Sequence, residues 1–323
     1  MIKNKKILIT GAAGFIGSNL TEELLKHENY LVLIDNYNDF YEGKEEQLNA
    51  IIKNYRNSED YKVIKGNILD ASLYDKLDDD FDYIFHLAAY ASVRYSIEHA
   101  AAVTHNNVTG TVNLLEYALK LNNIKKFVNA SSSSVYGNPV YTPLDENHPK
   151  NPICPYAISK LCSEIYADYY FREFSLPITS LRFYTVYGPR GRPDMAVRKF
   201  FNLIFKKQEI PIYGNGEQLR DFTYISDIID GLILSGEIAK AEGEIFNLGC
   251  SDPISVNQLV DKMYSITGEP KKVRYFEKQI GDVDITHSDI TKAEKILGYN
   301  PKVSIDKGLE NTYEWQRERL SSD

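Results

Sequence analysis

Strand-like and helix-like hydrophobic patterns alternate through the first half of the chain. Short apolar runs of strand length recur, and longer segments with apolar residues at helical spacing separate them. The runs are "KKILIT", "YLVLID", "YKVIKG", "DYIFHLAA", "KKFVNASS" and "ITSLRFYTVYG", and the longest intervening helices are "AAVTHNNVTGTVNLLEYALKLN" and "YAISKLCSEIYADYYFREF". Strands that are apolar throughout are buried on both faces, so the sequence predicts an α/β fold with a doubly wound parallel sheet.

The pattern loosens after Gly188. Helices such as "MAVRKFFNLIFKKQ" and "SDIIDGLILSGEIAKA" surround the short segment "IPIYGNGEQLRDFTY", and "EIFNLG" reads as one more strand. We therefore divide the chain into a sheet domain, residues 1–188, and a smaller α/β region, residues 189–323, with the chain crossing between them more than once. The second region is expected to pack at the carboxyl edge of the sheet, where open α/β folds bind ligands.

Composition narrows the class of protein. Of the 323 residues, 43% are hydrophobic and 25% charged, as in ordinary globular proteins, and charge interrupts the apolar stretches before they could span a bilayer. The net charge of −8 argues against general nucleic-acid binding but permits a phosphate ligand at a local positive site. The three cysteines are sparse and the six histidines show no metal-ligand spacing. We therefore expect a cytoplasmic protein with no bound metal and no membrane association.

A glycine-rich turn follows the first predicted strand. "ITGAAGFIG" places Gly11, Gly14 and Gly17 in the spacing G-x-x-G-x-x-G between that strand and a helix. Such glycines allow a tight turn and close approach of a pyrophosphate, which the amino end of the helix attracts. Asp35 ends the second strand, where a carboxylate accepts hydrogen bonds from an adenosine ribose and repels a 2′-phosphate. The pattern predicts a dinucleotide site that prefers NAD to NADP.

Tyr156 and Lys160 lie about one helical turn apart in "PYAISK". Residues at this spacing share a helix face, and an ammonium group beside a phenol lowers the pKa of the tyrosine, which makes it a base near neutral pH. The spacing is common by chance in a chain with 24 tyrosines, so the pair alone is better explained as two surface residues.

The motifs taken together resemble one family. "TGAAGFIG", "HLAA", "SSSSVYG", "PYAISK", "LRFYTVYGP" and "RDFTYISD" occur in this order over nearly the whole chain. The sequence is similar to the extended short-chain dehydrogenases/reductases of the nucleotide-sugar epimerase and dehydratase group. The resemblance implies a Rossmann-type domain that holds NAD tightly, a nucleotide sugar held by the smaller region, and a homodimer formed through helices 101–122 and 156–174.

The resemblance also implies roles for individual residues. Tyr156 is expected to be the catalytic base, Lys160 to position the nicotinamide ribose, and Ser132 to complete the triad. Asn67 stands where the family usually has an aspartate against the adenine, and its amide can still hydrogen-bond there. Besides Tyr156 and Lys160, the residues expected to contact NAD are Gly11, Gly14, Phe15, Ile16, Gly17, Asp35, Asn36, Asn67, Ile68, Leu87, Ala88, Ala89, Asn106, Tyr184 and Val186.

The serine run "SSSS" separates the reactions of this group. In the dehydratases and decarboxylases, the equivalents of Ser133 and Ser134 include acids, which eliminate water or assist chemistry after oxidation. Both residues are hydroxyls here, which favours simple epimerisation at C4. The implied cycle oxidises C4, turns the 4-keto sugar over and reduces it again, so NAD is regenerated in every turnover.

The expected substrate is a UDP-sugar. "GPRGRPDMA" and "HLAAYASVRYS" resemble UDP-glucuronate 4-epimerases more than UDP-galactose 4-epimerases. A 4-keto uronic acid readily loses CO₂, so such an enzyme must hold the carboxylate, and we infer that Ser133, Ser134, Thr185 and Arg192 face it. The other residues expected to contact the UDP-sugar are Arg94, Ile212, Tyr213, Arg220 and Asp282.

Other interpretations remain open on the sequence. Arg192 is alternatively a loop arginine on the surface, and the substrate is alternatively UDP-glucose, UDP-galactose or a UDP-N-acetylhexosamine. A net reductase would release NAD in each turnover. A non-catalytic NAD sensor would not need to keep Ser132, Tyr156 and Lys160.

Overall fold

The computed structural model describes residues 1–55, 60–78, 80–279 and 282–322. The strands are β1 Lys6–Thr10, β2 Tyr30–Asp35, β3 Tyr61–Lys65, β4 Tyr83–His86, β5 Lys126–Ser132, β6 Ile178–Phe183, β7 Thr185–Tyr187, β8 Ile210–Tyr213, β9 Leu219–Arg220, β10 Phe222–Tyr224, β11 Ile245–Leu248, β12 Ile254–Ser255 and β13 Val273–Phe276. The helices are α1 Phe15–Leu25, α2 Lys44–Ile52, α3 Ala71–Tyr74, α4 Val93–Glu98, α5 Ala100–Thr104, α6 Gly110–Ala118, α7 Pro155–Phe174, α8 Ala196–Phe205, α9 Ile225–Glu237, α10 Val256–Thr267, α11 Thr291–Leu297 and α12 Ile305–Ser322. No helix within these described ranges is long and apolar enough to cross a membrane.

One parallel sheet of seven strands organises the molecule, in the order β11-β6-β5-β4-β1-β2-β3. The strand order reverses between β1 and β4, which is where open α/β sheets form their ligand crevice. The predicted doubly wound α/β fold is confirmed. Strand β11 returns from the second half of the chain to complete the sheet, and the boundary at residue 188 stays a prediction.

Both faces of the sheet are covered by helices. Along β1, the fully buried Ile7 and Ile9 join one hydrophobic cluster with residues of α1 and α9, whereas Leu8 joins a second cluster with residues of α6 and α7. This alternation follows from the two-residue period of a strand. Because both faces are occupied, the carboxyl edge of the sheet is where a ligand can enter.

The helix predicted over 101–122 is divided in the structure. Helix α5 passes into a π-helical turn, His105–Thr109, before α6 begins. A π turn widens a helix locally and is frequent at functional sites. Here it carries Asn106, which lines the cleft described below, and Asn107, whose Oδ1 accepts a hydrogen bond from the backbone N–H of Tyr90 at 2.9 Å.

The sixth predicted strand is likewise two strands. Strand β6 ends at Phe183, and β7 leaves the main sheet to pair with β10. The backbone N–H of Thr185 donates to the carbonyl of Asp221 at 3.0 Å. The chain therefore stops pairing with β5 at the end of β6 and pairs with β10 instead. The division places Thr185 and Val186 at the same edge as the glycine turn.

Candidate active site

A cleft of about 370 Å³ opens at the carboxyl edge of the sheet. Its lining comes from the segments that follow β1, β2, β4, β5 and β6. Because these strands are parallel, their carboxyl ends meet at one edge and bring distant motifs together. No cluster of metal-ligating side chains occurs among the described residues.

The glycine turn forms the floor of one end of the cleft. Gly11 has a φ of 71°, and a Cβ placed there would lie 2.8 Å from the backbone nitrogen of Ala88. A Cβ at Gly17 would lie 2.1 Å from the carbonyl oxygen of Gly11. Gly14 is the N-cap of α1 and supplies no side-chain cap, so the amino end of the helix faces the cleft with its backbone N–H groups. The turn therefore fits the pyrophosphate of a dinucleotide.

Asp35 fixes this turn to the end of β2. Its two carboxylate oxygens accept hydrogen bonds from the backbone N–H groups of Ala13 at 3.0 Å and Tyr37 at 2.9 Å. Asp35 also lines the cleft, where its remaining lone pairs are placed to meet a ribose hydroxyl.

The other predicted cofactor residues lie in the cleft with one exception. Asn67 is exposed, and its Oδ1 accepts a hydrogen bond from the backbone N–H of Leu69 at 3.0 Å, so the structure uses this side chain in a local turn. Its predicted adenine contact stays untested. The residues that do line the cleft are Gly11, Gly14, Phe15, Ile16, Gly17, Asp35, Asn36, Ile68, Leu87, Ala88, Ala89, Asn106, Tyr156, Lys160, Tyr184 and Val186.

The predicted triad is assembled where β5 ends and α7 begins. The hydroxyl of Ser132 lies close enough to the phenol of Tyr156 to act on its ionisation. Burial raises the pKa of Tyr156 above its ordinary value, and the nearby Ser132 hydroxyl partly offsets this rise. Ser132 Oγ also accepts hydrogen bonds from the backbone N–H of Ser134 at 3.2 Å and from its hydroxyl at 2.9 Å.

Lys160 is directed at β5. Its Nζ donates to the carbonyl of Ala130 at 2.6 Å, and burial lowers the pKa of Lys160 to about 8. Burial is the main effect on the phenol of Tyr156 and raises its pKa, so the roles given to Lys160 stay predictions.

A buried ion pair between β6 and α7 lies next to Ser132 and Lys160 of the triad. Arg182 on β6 donates from Nε and Nη2 to the two carboxylate oxygens of Glu164, at 2.8 and 2.7 Å. Ser131 donates to the same carboxylate at 2.5 Å. Since Ser131 precedes Ser132, the pair fixes β5 against α7 at the point where the triad forms.

The residues predicted to face the sugar carboxylate also meet in the cleft. Ser133, Ser134, Thr185 and Arg192 all line it. Arg192 donates to the carboxylate of Asp194 from Nε at 3.0 Å and Nη2 at 2.7 Å. Its Nη1 donates to the carbonyl of Ala91.

The remaining predicted substrate residues lie outside this cleft. The guanidinium of Arg94 lies 5.1 Å from the ring centre of Tyr213. Separately, the carboxylates of Asp282 and Asp284 act electrostatically on the half-buried Arg220. The positive charge of Arg94 also acts on the carboxylate of Asp194, which pairs with the cleft-lining Arg192. Arg94 therefore lies next to the cleft.

Ile212, predicted to contact the UDP-sugar, lies in the interior. It is 1% exposed and belongs to the hydrophobic core. Alternate residues of β8 point into the protein, so the side chain of Ile212 packs in the core, and its predicted substrate contact stays a prediction.

Several lining residues were missed by the sequence. The segment after Asp35 contributes Phe40, Tyr41 and Lys44, and the loop after β4 contributes Tyr90. The signal was the density of aromatic residues in a loop, "NYNDFYEGK". That signal does not show which rings turn inward.

The parallel sheet, glycine turn and Ser–Tyr–Lys set define a short-chain dehydrogenase/reductase. The family model described as GDP-mannose 4,6 dehydratase matches residues 8–312. The chain belongs to this family of extended short-chain dehydrogenases/reductases, and the predicted membership is confirmed.

Three similar proteins illustrate the range of the family. The chain is 37% identical to the UDP-glucuronate 4-epimerase of Thermodesulfobacterium geofontis over 318 residues, covering 97% of this chain and 96% of that protein. The solved UDP-glucuronic acid 4-epimerase of Bacillus cereus, in complex with UDP-glucuronic acid and NAD, is 34% identical with a TM-score of 0.90, covering 97% and 99%. The UDP-N-acetylglucosamine 4-epimerase of Methanobrevibacter ruminantium is 31% identical with a TM-score of 0.90, covering 98% and 100%.

Proposed function

We propose that the protein interconverts UDP-glucuronate and UDP-galacturonate by NAD-dependent epimerisation at C4. The observation that carries this choice of sugar is the position of Arg192 in the cleft, beside Ser133, Ser134 and Thr185. Its guanidinium uses three of its five N–H donors on the carboxylate of Asp194 and the carbonyl of Ala91. The second N–H groups of Nη1 and Nη2 are left to meet a carboxylate at C6 of the sugar.

The class of reaction has separate support. Similar proteins that cover nearly the whole chain are UDP-sugar 4-epimerases, and one of the solved structures contains NAD. The prediction of an NAD-dependent UDP-sugar 4-epimerase, an isomerase, is confirmed at this level. Identities of 31% to 37% do not separate glucuronate from N-acetylglucosamine, so a UDP-N-acetylhexosamine 4-epimerase is the second candidate.

The chain supplies the proton transfer. Bound NAD would accept a hydride from C4 and return it. Tyr156, which lies near Ser132, takes the proton of the sugar 4-hydroxyl and returns it after the 4-keto sugar has turned over. Ser133 and Ser134 present neutral hydroxyls to the sugar. Without an acid at these positions, the chemistry ends at epimerisation.

Replacing the guanidinium tests the choice of sugar. In an Arg192→Gln variant, kcat/KM for UDP-glucuronate is expected to fall by about 10- to 100-fold, because a charge-assisted bidentate contact is lost. Activity on UDP-glucose, which has no carboxylate at C6, should fall much less. NMR of the products from each sugar, incubated separately, measures both effects.

Arg190→Gln is the matched control. Arg190 bonds to Asn19 and Glu22 on α1, outside the cleft, and its loss should leave sugar preference unchanged. Turnover of UDP-glucose alone by the unmodified protein contradicts the glucuronate proposal. A UDP-pentose as the main product contradicts the role given to the serines.

We also propose that the protein is a homodimer that packs through α7. One stripe of this helix leaves large apolar side chains uncovered, with Ile158, Ile165 and Tyr169 exposed by 47%, 60% and 45%. The opposite face, including Ala167 and Tyr170, packs in the core. An apolar stripe of this kind is typical of a helix that packs on a partner.

A charge in that stripe should separate the two chains. Ile165→Glu is expected to convert the dimer to a monomer, because the carboxylate would be buried without a partner. Sedimentation velocity measures the change, and Val140→Glu is the control, since Val140 is 74% exposed on a loop outside α7. A monomeric unmodified protein would overturn the proposal.

A further inference from the structure

Phe40, which lines the cleft, contacts helix α4 and two loops. Its ring packs edge-on against Tyr95, with ring centres 5.1 Å apart, and against Tyr90 at 6.3 Å. The guanidinium of Arg192 lies 5.3 Å from the Phe40 ring centre. Phe40 therefore fastens the segment after β2 to the loops that follow β4 and β7.

The next residue, Tyr41, turns its hydroxyl into the cleft. This oxygen is enclosed by protein, and within the described residues it has no hydrogen-bond partner. A Cβ placed on Gly14 would lie 4.0 Å from it, so the hydroxyl faces the glycine turn. Buried polar groups almost always have a hydrogen-bond partner, so a buried hydroxyl that faces a ligand cleft without one needs an explanation, and a bound ligand is one that fits this position.

The surroundings favour an anionic group there. The amino end of α1 begins at Gly14, where its helix dipole attracts negative charge. The guanidinium groups of Arg192 and Arg198 act electrostatically on the phenol, as do the carboxylates of Asp35 and Asp194, and Asp194 is itself paired with Arg192. Burial raises the pKa of Tyr41 to about 12, so the hydroxyl keeps its proton and is a donor at neutral pH.

We propose that the Tyr41 hydroxyl donates a hydrogen bond to a phosphate oxygen of the bound dinucleotide, with Phe40 holding the segment closed over it. The inference rests on the NAD-dependent class of the proposed function. It gives a physical reason why NAD stays bound through successive turnovers, since release must break both the phosphate contact and the Phe40 packing.

A Tyr41→Phe variant removes only the hydroxyl. Its affinity for NAD, and for ADP, is expected to fall by about tenfold or more, as for loss of a hydrogen bond to a charged group. Affinity for adenosine should stay unchanged. Isothermal titration of stripped protein measures all three ligands, and absorbance of the purified protein measures the NAD retained. Tyr37→Phe is the matched control, because Tyr37 lies in the same segment but does not line the cleft.

Two results would overturn the proposal. If the variant and the unmodified protein bind ADP and NAD with equal affinity, the hydroxyl does not contact a phosphate. If the affinity for adenosine falls as much as that for ADP and NAD, the hydroxyl contacts the nucleoside instead. None of these titrations includes a sugar, so they stay informative if the choice of UDP-sugar is wrong.

Discussion

A Tyr156→Phe variant is expected to lose about 10²- to 10⁴-fold in turnover, the usual contribution of a general acid–base group. The phenylalanine keeps the ring but cannot exchange a proton with the sugar 4-hydroxyl. Within the part of the chain that the structure describes, the hydrogen bonds of Ser132 Oγ come from Ser134, which is not a base, so no second base replaces the phenol there. The measurement is epimerisation of UDP-glucuronate followed by NMR.

The fall in turnover should come from a slower chemical step and not from loss of bound NAD. The variant should still carry NAD, because the glycine turn and Asp35 are untouched. Tyr166→Phe, on an exposed part of the same helix, is the control and should turn over normally. If Tyr156→Phe kept normal turnover, the phenol would not be the base.

Removal of the Glu164 carboxylate should have the largest effect on stability. A Glu164→Ala variant is expected to lose about 3–5 kcal/mol of the free energy of unfolding, the usual result of leaving one buried charge unpaired. Arg182 would be that charge, because its side chain is only 1% exposed and its Nε and Nη2 both donate to Glu164. Urea denaturation measures the loss.

The same helix provides the control. Asp168 pairs with Arg172 at 2.9 Å, but both side chains are at least half exposed. Asp168→Ala should cost no more than about 1 kcal/mol, because solvent screens exposed pairs. A double Glu164→Leu and Arg182→Met variant should recover much of the loss, since it leaves neither charge buried alone. Equal losses for Glu164→Ala and Asp168→Ala would contradict the account.

The strands of the sheet could be predicted because burial on both faces leaves a strong local signal. "KKILIT" and "YLVLID" became β1 and β2 nearly residue for residue. The glycine turn was predictable for a related reason. Its spacing reflects a backbone packed so closely that no side chain fits at Gly11 or Gly17.

Features that depend on distant partners were not predictable. The π turn at His105–Thr109 and the break after Phe183 lie inside patterns that read as continuous elements. The direction of the Lys160 side chain depends on the carbonyl of Ala130, which is far away in sequence. The inward position of Tyr41 depends on its neighbour Phe40, which packs against Tyr90 in the loop after β4 and against Tyr95 on α4.

In the serine run at the end of β5, alternate residues serve different purposes: one side chain stabilises the fold and the next faces the cleft. Successive strand residues point in opposite directions, so Ser131 bonds to Glu164 in the interior while Ser132, which lines the cleft, accepts hydrogen bonds from Ser134. Exchanging the cleft-lining Ser133 or Ser134 would leave the ion pair intact. A scaffold built this way can acquire a new reaction through one or two substitutions without first finding a new way to fold.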